Sequence, residues 1–401
     1  MEKSVRVRIF SVLSLSIFTA MLGVGIIVPV LPLYAKTIGA NGIWLGAIFA
    51  GFSVARAVAM PFVGKLSDRK GRKAFIAAGL FLYALSAIGY VFSHSAFFLL
   101  TVRIFQGLSS AMIVPVAMAY VGDISPKDKE GSYLGKFNVA LFLGFGLGPL
   151  LGGFLQDFFG VNADFIVMGI LCGLSFVLVM RYLPSSDGRQ LSRKVQPASF
   201  RSILKVPQIQ GILWFRFINA FIRGSVLTFL PLYASYSLKI TGFQIGVVVS
   251  SGVLLTSFLQ YPCGRLADRI NRKTLIVAGS LLYALCVVLF PFSSSLMQML
   301  GLSMLSGIFG AVSLPAATVL VVEEGKKYGM GSLMALFNVA MSLGLGIGPL
   351  ASGLIHDAFG LNAIFYFVTA FGIIGTFFTS RVLTSSPPGR PPDGPGIVEE
   401  V

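Results

Sequence analysis

Twelve apolar segments of about 20 residues recur along this 401-residue chain, and they restrict it to folds that live in a membrane. A segment of that length crosses the hydrocarbon core of a bilayer as a single helix. Uninterrupted apolar runs, without the alternation of barrel strands, favour helices. The predicted spans are 10–33, 43–63, 74–92, 97–120, 132–155, 164–183, 208–232, 242–263, 274–291, 297–321, 332–355 and 363–383.

The composition excludes most other classes of protein. The chain is 55% hydrophobic and 11% charged, whereas soluble proteins carry about 25% charged residues. This argues against a cytosolic enzyme, a disordered scaffold and a secreted disulfide-rich domain. The three cysteines have no paired spacing and the two histidines are far apart in sequence, so we predict no metal site and no cofactor.

The distribution of lysine and arginine predicts the orientation in the membrane. With the N-terminus inside, 25 of the 31 basic residues fall on the inner side, four lie within spans, and Lys36 and Lys239 lie outside. This asymmetry follows the positive-inside rule. We therefore predict an integral protein of the cytoplasmic membrane with both termini in the cytoplasm. Its basic excess would face anionic lipid rather than nucleic acid, and its first span would be uncleaved rather than a signal peptide.

A shift of 200 residues nearly superposes the two halves of the sequence. GKLSDRKGRK at 64–73 matches GRLADRINRK at 264–273, and GFGLGP at 144–149 returns as GLGIGP at 344–349. Repeats in the same orientation predict an all-α membrane protein of two pseudo-symmetric six-helix bundles, with substrate handled between them. The predicted parts are an N-terminal bundle (1–183), a cytoplasmic linker (184–206), a C-terminal bundle (207–383) and a disordered tail (384–401).

The residue types in the loop at 64–73 suggest what it does. Gly64 permits close helix approach and Gly71 a tight turn. Asp68 among basic residues such as Arg72 forms an ionic cluster that can hold one state of the molecule and release another. The simpler alternative is a basic loop that only sets topology. In the second copy Asn271 replaces the turn glycine, and asparagine also tolerates the left-handed conformation.

These residues resemble the major facilitator superfamily, and in particular its twelve-span drug:proton antiporter branch. The resemblance is carried by the repeated loop, by PVLP at 29–32, by RIFQG at 103–107 and by the glycine motif at 144–153. It implies alternating access and export of organic compounds against protons. It also implies a gate latch in the loop and its copy, made of Gly64, Asp68, Arg72, Asp268 and Arg272.

The glycine motif predicts close helix packing. Glycines four residues apart line one face of a helix, and a proline within the helix adds a kink. Because the motif occurs in both halves, shared helix geometry explains it as well as antiport does. The residues are Gly144, Gly148, Pro149 and Gly152, with Gly344, Gly348 and Pro349 in the second copy.

Acidic residues are predicted only in loops, in tails and at the ends of spans. Asp157, Asp164 and Asp357 are expected at the outer surface. Many proton-coupled exporters keep a carboxylate in the cavity, so any proton coupling here would fall to the span end at Asp123 or to Asp68.

Four arginines lie within spans, where each costs roughly 2.5–3.5 kcal/mol on insertion scales. They should therefore face a solvated cavity. Arg216 could instead snorkel to the interface, and Arg103 could bond backbone carbonyls. With their polar neighbours at helical spacing, the cavity candidates are Arg56, Arg103, Gln106, Arg216, Asn219 and Arg223.

The sequence thus predicts a proton-coupled exporter of amphipathic organic compounds. The protein would act as a monomer, its substrate would be a small amphipathic or anionic molecule, and its outer surface would contact membrane lipid. A cavity lined by arginine leaves open a uniporter or symporter of an organic anion. A sensor or a membrane enzyme is the remaining class. No catalytic motif in the sequence supports it.

Overall fold

The computed structural model describes residues 3–126, 130–184 and 203–383, and within them it contains twelve long helices and no strand. All twelve are long and apolar enough to cross a membrane. Residues 185–202 of the predicted linker (184–206) and the whole predicted tail (384–401) lie outside the described residues. The helices are α1 Lys3–Thr37, α2 Gly42–Lys70, α3 Arg72–Val91, α4 Ala96–Ile124, α5 Glu130–Phe159, α6 Val161–Tyr182, α7 Pro207–Ser237, α8 Gly242–Arg269, α9 Arg272–Leu289, α10 Leu296–Tyr328, α11 Met330–Phe359 and α12 Leu361–Val382.

Each predicted span corresponds to one helix, but several helices continue beyond the apolar segment. The second span was predicted to end at residue 63, whereas α2 runs on to Lys70. The helical hydrogen-bond pattern persists into water, so hydropathy locates the membrane-embedded part better than the helix end.

Within each half the connections between helices are short, and specific residues mark where the helices begin and end. Gly71 has a φ of 92°, which confirms the tight turn expected between α2 and α3. Its counterpart Asn271 has a φ of −55°, so the expected left-handed conformation is wrong there. Asn271 instead caps α9, because its Oδ1 accepts a hydrogen bond of 3.0 Å from the backbone amide of Lys273.

The helices pack in the same pattern in both halves: α1 lies against α5 as α7 lies against α11, and α2 against α4 as α8 against α10. Gly144, Gly148 and Gly152 all face α1, where a Cβ at Gly148 would lie 2.4 Å from the Cα of Gly25. Gly344 and Gly348 face α7 in the same way. The two prolines of the motif, Pro149 and Pro349, lie inside α5 and α11.

Candidate functional site

The two halves are joined at the end of the bundle where α2 and α8 begin, which we call the clamped face. Oδ1 and Oδ2 of Asp157 accept hydrogen bonds of 2.9 and 2.8 Å from the backbone amides of Gly242 and Phe243. The pseudo-symmetric Asp357 accepts bonds of 2.7 and 2.9 Å from Gly42 and Ile43. Each carboxylate therefore caps the N-terminus of a helix from the other half, where the helix dipole favours a negative charge.

Glycines bring the backbones of the two halves into contact just below these caps. A Cβ on Gly46 would lie 2.5 Å from the carbonyl oxygen of Pro349, and one on Gly246 would lie 2.2 Å from that of Pro149. Neither position has room for a side chain in this state. The α2–α11 and α5–α8 contacts thus depend on the absence of a side chain at these glycines.

The opposite end, which we call the basic face, carries the latch residues, and these pair within a single half. Arg72 lies 3.2 Å from Asp68 and 3.0 Å from Asp123. In the second half Arg272 pairs with Glu323 at 2.5 Å, while the side chain of Asp268 is outside the described part.

The helix ends at the basic face also leave space around the latch loops. A Cβ on Gly64 or Gly264 would meet nothing within 4 Å. The side chains of Phe62 and Tyr261 are 70% and 69% exposed there. The latch pairs therefore lie within single halves and do not join the two halves in this state, and the role of the latch as a gate stays a prediction.

A cavity of about 60 Å³, partly open to solvent, lies at mid-depth in the second half. Helices α7, α8, α9 and α10 form its walls. Two of the predicted cavity residues, Asn219 and Arg223, line it one helical turn apart. The remaining polar lining was not anticipated from the sequence: Thr256, Tyr283, Ser303 and Ser306.

The equivalent region of the first half is filled by its own side chains. Arg103 is 7% exposed, stacks over the ring of Phe52 at 4.5 Å and donates a 2.9 Å hydrogen bond to Oε1 of Gln106. Its Nε also donates to the carbonyl of Ile48 at 3.4 Å. Gln106 Oε1 accepts a second bond, of 2.6 Å, from the hydroxyl of Tyr90. Arg103 and Gln106 thus lie together, away from the second-half cavity.

The last two predicted arginines also lie outside that cavity. Nη2 of Arg216 lies 2.7 Å from the sulfur of Met341, and its guanidinium stacks 4.7 Å from the ring centroid of Phe337. Arg56 lies on α2 with its charge near Tyr83, and its Nε has no hydrogen-bond partner among the described residues. Whether either faces a substrate passage in another state stays a prediction.

Asp164 lies in the first turn of α6, near Asp157 at the end of the bundle where it was expected, but its side chain is fully buried in the protein. Neither of its carboxylate oxygens has a hydrogen-bond partner among the described residues. The residue is close to the end of α6, but its spacing places it on the same helix face as the buried Met168 and Cys172. That spacing was the signal by which the sequence could have revealed its burial.

Twelve apolar helices form two pseudo-symmetric bundles that are joined at one end, and a cavity lies at mid-depth in the second bundle; this architecture defines a membrane transporter. The chain belongs to the Major Facilitator Superfamily, whose family model matches residues 13–222 and again 212–399.

Similar proteins fit this assignment. An uncharacterized MFS-type transporter of Methanocaldococcus jannaschii is 32% identical over 369 residues, covering 90% of this chain and 95% of that protein. The quinolone resistance protein NorA of Staphylococcus aureus is 29% identical over 353 residues, covering 86% and 89%. A bacterial homologue of the human lysosomal transporter Spinster, solved in an inward-facing and unoccupied conformation, superposes with a TM-score of 0.83 at 14% identity, covering 96% and 98%.

Proposed function

We propose that this transporter exports amphipathic organic compounds by alternating access, driven by the proton gradient. The observation that carries the proposal is the one-sided contact between the halves, made by Asp157 and Asp357 at the clamped face. Two rigid bundles that close at one end can open their inner surfaces to each side of the membrane in turn. We place the bound compound in the mid-depth cavity of the second bundle.

The basic residues support an orientation for this state. Because 25 of 31 lysines and arginines cluster on one side, the basic face is cytoplasmic and the clamped face is external. Both termini are then in the cytoplasm, and the structure corresponds to an inward-facing state. The protein acts as a monomer, since both bundles of the transport unit belong to one chain.

Two observations support outward, proton-driven movement of drug-like compounds. NorA, a relative over 86% of this chain, is named for resistance to quinolones. The close packing of α1 on α5 through Gly144, Gly148 and Gly152 places the glycine motif of the antiporter branch at a helix contact of the first half. The proton-binding residue is assigned to Asp123 or Asp68, both paired with Arg72.

Inverted membrane vesicles test the proposal directly. Their cytoplasmic face points outward, so an acidified interior should drive accumulation of fluorescent amphipathic dyes or quinolones, and collapse of the pH gradient should abolish it. Empty vesicles are the control. Equal accumulation with and without the gradient would rule out antiport, and no protein-dependent movement of any amphipath would rule out export.

A uniporter or symporter of an organic anion is the second candidate, and the position of Arg223 in the cavity favours it. The same vesicles separate the two. A uniporter equilibrates a labelled organic anion at the same rate with or without a pH gradient, and a symporter drives it in the same direction as the proton.

A further inference from the structure

We infer that the second-half cavity binds the oxyanion of an amphipathic organic molecule, and that Arg223 is the residue that recognises its charge. The inference rests on the proposed function and names the chemical class of the compound carried. Four features of the cavity support it: an unpaired guanidinium, uncommitted hydrogen-bond donors, an apolar wall and the contrast with the first half.

Among the described residues, the guanidinium of Arg223 has no hydrogen-bond or ion-pair partner. None of these residues contributes a carboxylate to the lining of the cavity. Arg103 of the first half, by contrast, is bonded to Gln106 and stacked on Phe52. An uncompensated guanidinium at membrane depth is costly, and such residues mark sites of ligand passage. An anionic ligand would compensate this charge.

The remaining polar groups of the cavity also favour a ligand that accepts hydrogen bonds. The hydroxyls of Thr256, Ser303 and Ser306 already donate to backbone carbonyls at 2.6–3.0 Å. The side chains of Asn219 and Tyr283 make no hydrogen bond with described residues, so their donors are available. With Arg223 they form a donor-rich wall that suits a ligand rich in acceptor oxygens.

The rest of the wall is apolar and comes mainly from valine and leucine side chains such as Val226, Leu227 and Leu230. The ligand is therefore an apolar body with one oxyanion group. A guanidinium fork binds carboxylate, sulfonate and phosphate in two-point geometry, which an ammonium group cannot reproduce.

The contrast between the halves explains why the region at Ser303 is open while the equivalent region at Arg103 is filled. Under the 200-residue shift, Ser303 and Ser306 replace Arg103 and Gln106. Ser303 donates to the carbonyl of Val248 at 2.6 Å, as Arg103 donates to that of Ile48. The structural hydrogen bond is kept by a short side chain, and the space of the guanidinium becomes available to a ligand.

A matched pair of probes tests the charge requirement. Biphenyl-4-carboxylate and its neutral isostere biphenyl-4-carboxamide are titrated against the purified full-length protein, with binding followed calorimetrically. We expect the carboxylate to bind more tightly than the carboxamide. Arg223→Gln should weaken carboxylate binding about 10- to 150-fold, the range for hydrogen bonds to charged groups, and change carboxamide binding less than about twofold.

Two further variants keep the result interpretable. Arg223→Lys retains the charge without the guanidinium fork. Its affinity for biphenyl-4-carboxylate should lie between that of the unchanged protein and that of Arg223→Gln. Arg381→Gln removes an exposed guanidinium that stacks on Phe377, outside the cavity, and should bind as the unchanged protein does. Equal affinity for both probes, or undiminished carboxylate binding by folded Arg223→Gln, would overturn the inference.

The oxyanion could come from a soluble compound or from a lipid headgroup, and nanodiscs distinguish these sources. Competition by phosphatidylglycerol but not phosphatidylcholine, lost in Arg223→Gln, assigns the site to anionic lipid. Without competition, the ligand is a soluble anion. If the preference for carboxylate holds while vesicles transport nothing, the proposed function fails and the binding site stands. If vesicles export amphipaths whatever their charge and the purified protein shows no preference for the carboxylate, the proposed function stands and the inference about Arg223 fails.

Discussion

The guanidinium of Arg72, at the start of α3, lies 3.0 Å from Oδ2 of Asp123 near the end of α4. The same group lies 3.2 Å from Asp68 on α2. One arginine therefore ties three helices of the first half together at the basic face. The two carboxylates differ in environment, since the side chain of Asp123 is 21% exposed and that of Asp68 is 63% exposed.

This difference predicts unequal effects on stability. Asp123→Asn should lower the free energy of unfolding by about 1–2 kcal/mol, between the limits for exposed and buried pairs. Asp68→Asn should cost no more than about 0.5 kcal/mol, because its pair is an exposed i,i+4 contact. Thermal unfolding of both variants in detergent measures this order. A larger loss for Asp68→Asn would contradict it.

Asp68→Asn should instead affect turnover. If the loop cluster stabilises a state in which the basic face closes, removing its exposed charge lowers the rate of exchange between states and leaves the bound state intact. The maximal transport rate in vesicles should fall several-fold while the dissociation constant stays the same. Normal turnover would leave the loop with a role in topology alone.

Hydropathy and the 200-residue repeat were sufficient to predict the twelve helices and the packing symmetry. Both signals depend on many residues at once, so single exceptions do not disturb them. They could not predict which end is clamped. The closed end is held by a few specific contacts, such as the cap of Asp157 on Gly242, which leave no signal in hydropathy or in the repeat.

The site was predicted less well, for a specific reason. Arg103 on α4 and Arg223 on α7 are both arginines within predicted spans. Only the structure shows that Phe52 and Gln106 contact Arg103, whereas no described residue forms a hydrogen bond or an ion pair with Arg223. The wall of the cavity that α10 provides is made mainly of small residues such as Ser303. Small side chains leave little signal in a single sequence unless the two halves are compared position by position.

Removing the caps should open the clamped face. Asp157→Asn and Asp357→Asn each lose a charge-assisted bond and its interaction with a helix N-terminus, worth about 1 kcal/mol at an exposed site. The double variant should shift the equilibrium about 30-fold. Distances between spin labels at the exposed Lys36 and Phe359 should lengthen in the double variant. A distance distribution equal to that of the unchanged protein would show that the caps do not hold this face.

Gly246→Ala should have a similar effect for a steric reason. The new Cβ would lie 2.2 Å from the carbonyl oxygen of Pro149, so α5 and α8 must separate. Overpacking of this kind costs about 1–3 kcal/mol. Transport should fall and the clamped face should open. Gly301→Ala is the matched control, because its Cβ meets nothing within 4 Å. Equal transport by both variants would show that close approach at Gly246 is dispensable.

Transplanting the first-half side chains should close the second-half cavity. In Ser303→Arg with Ser306→Gln, the new arginine can donate to the carbonyl of Val248 and to the new glutamine, as Arg103 does with Ile48 and Gln106. The two new side chains therefore have hydrogen-bond partners, and we expect the variant to fold. Size-exclusion chromatography and thermal unfolding check this. The guanidinium would occupy the ligand's space, so biphenyl-4-carboxylate binding should be lost even though Arg223 is intact. Undiminished binding by the folded variant would place the ligand between the two halves, outside this cavity.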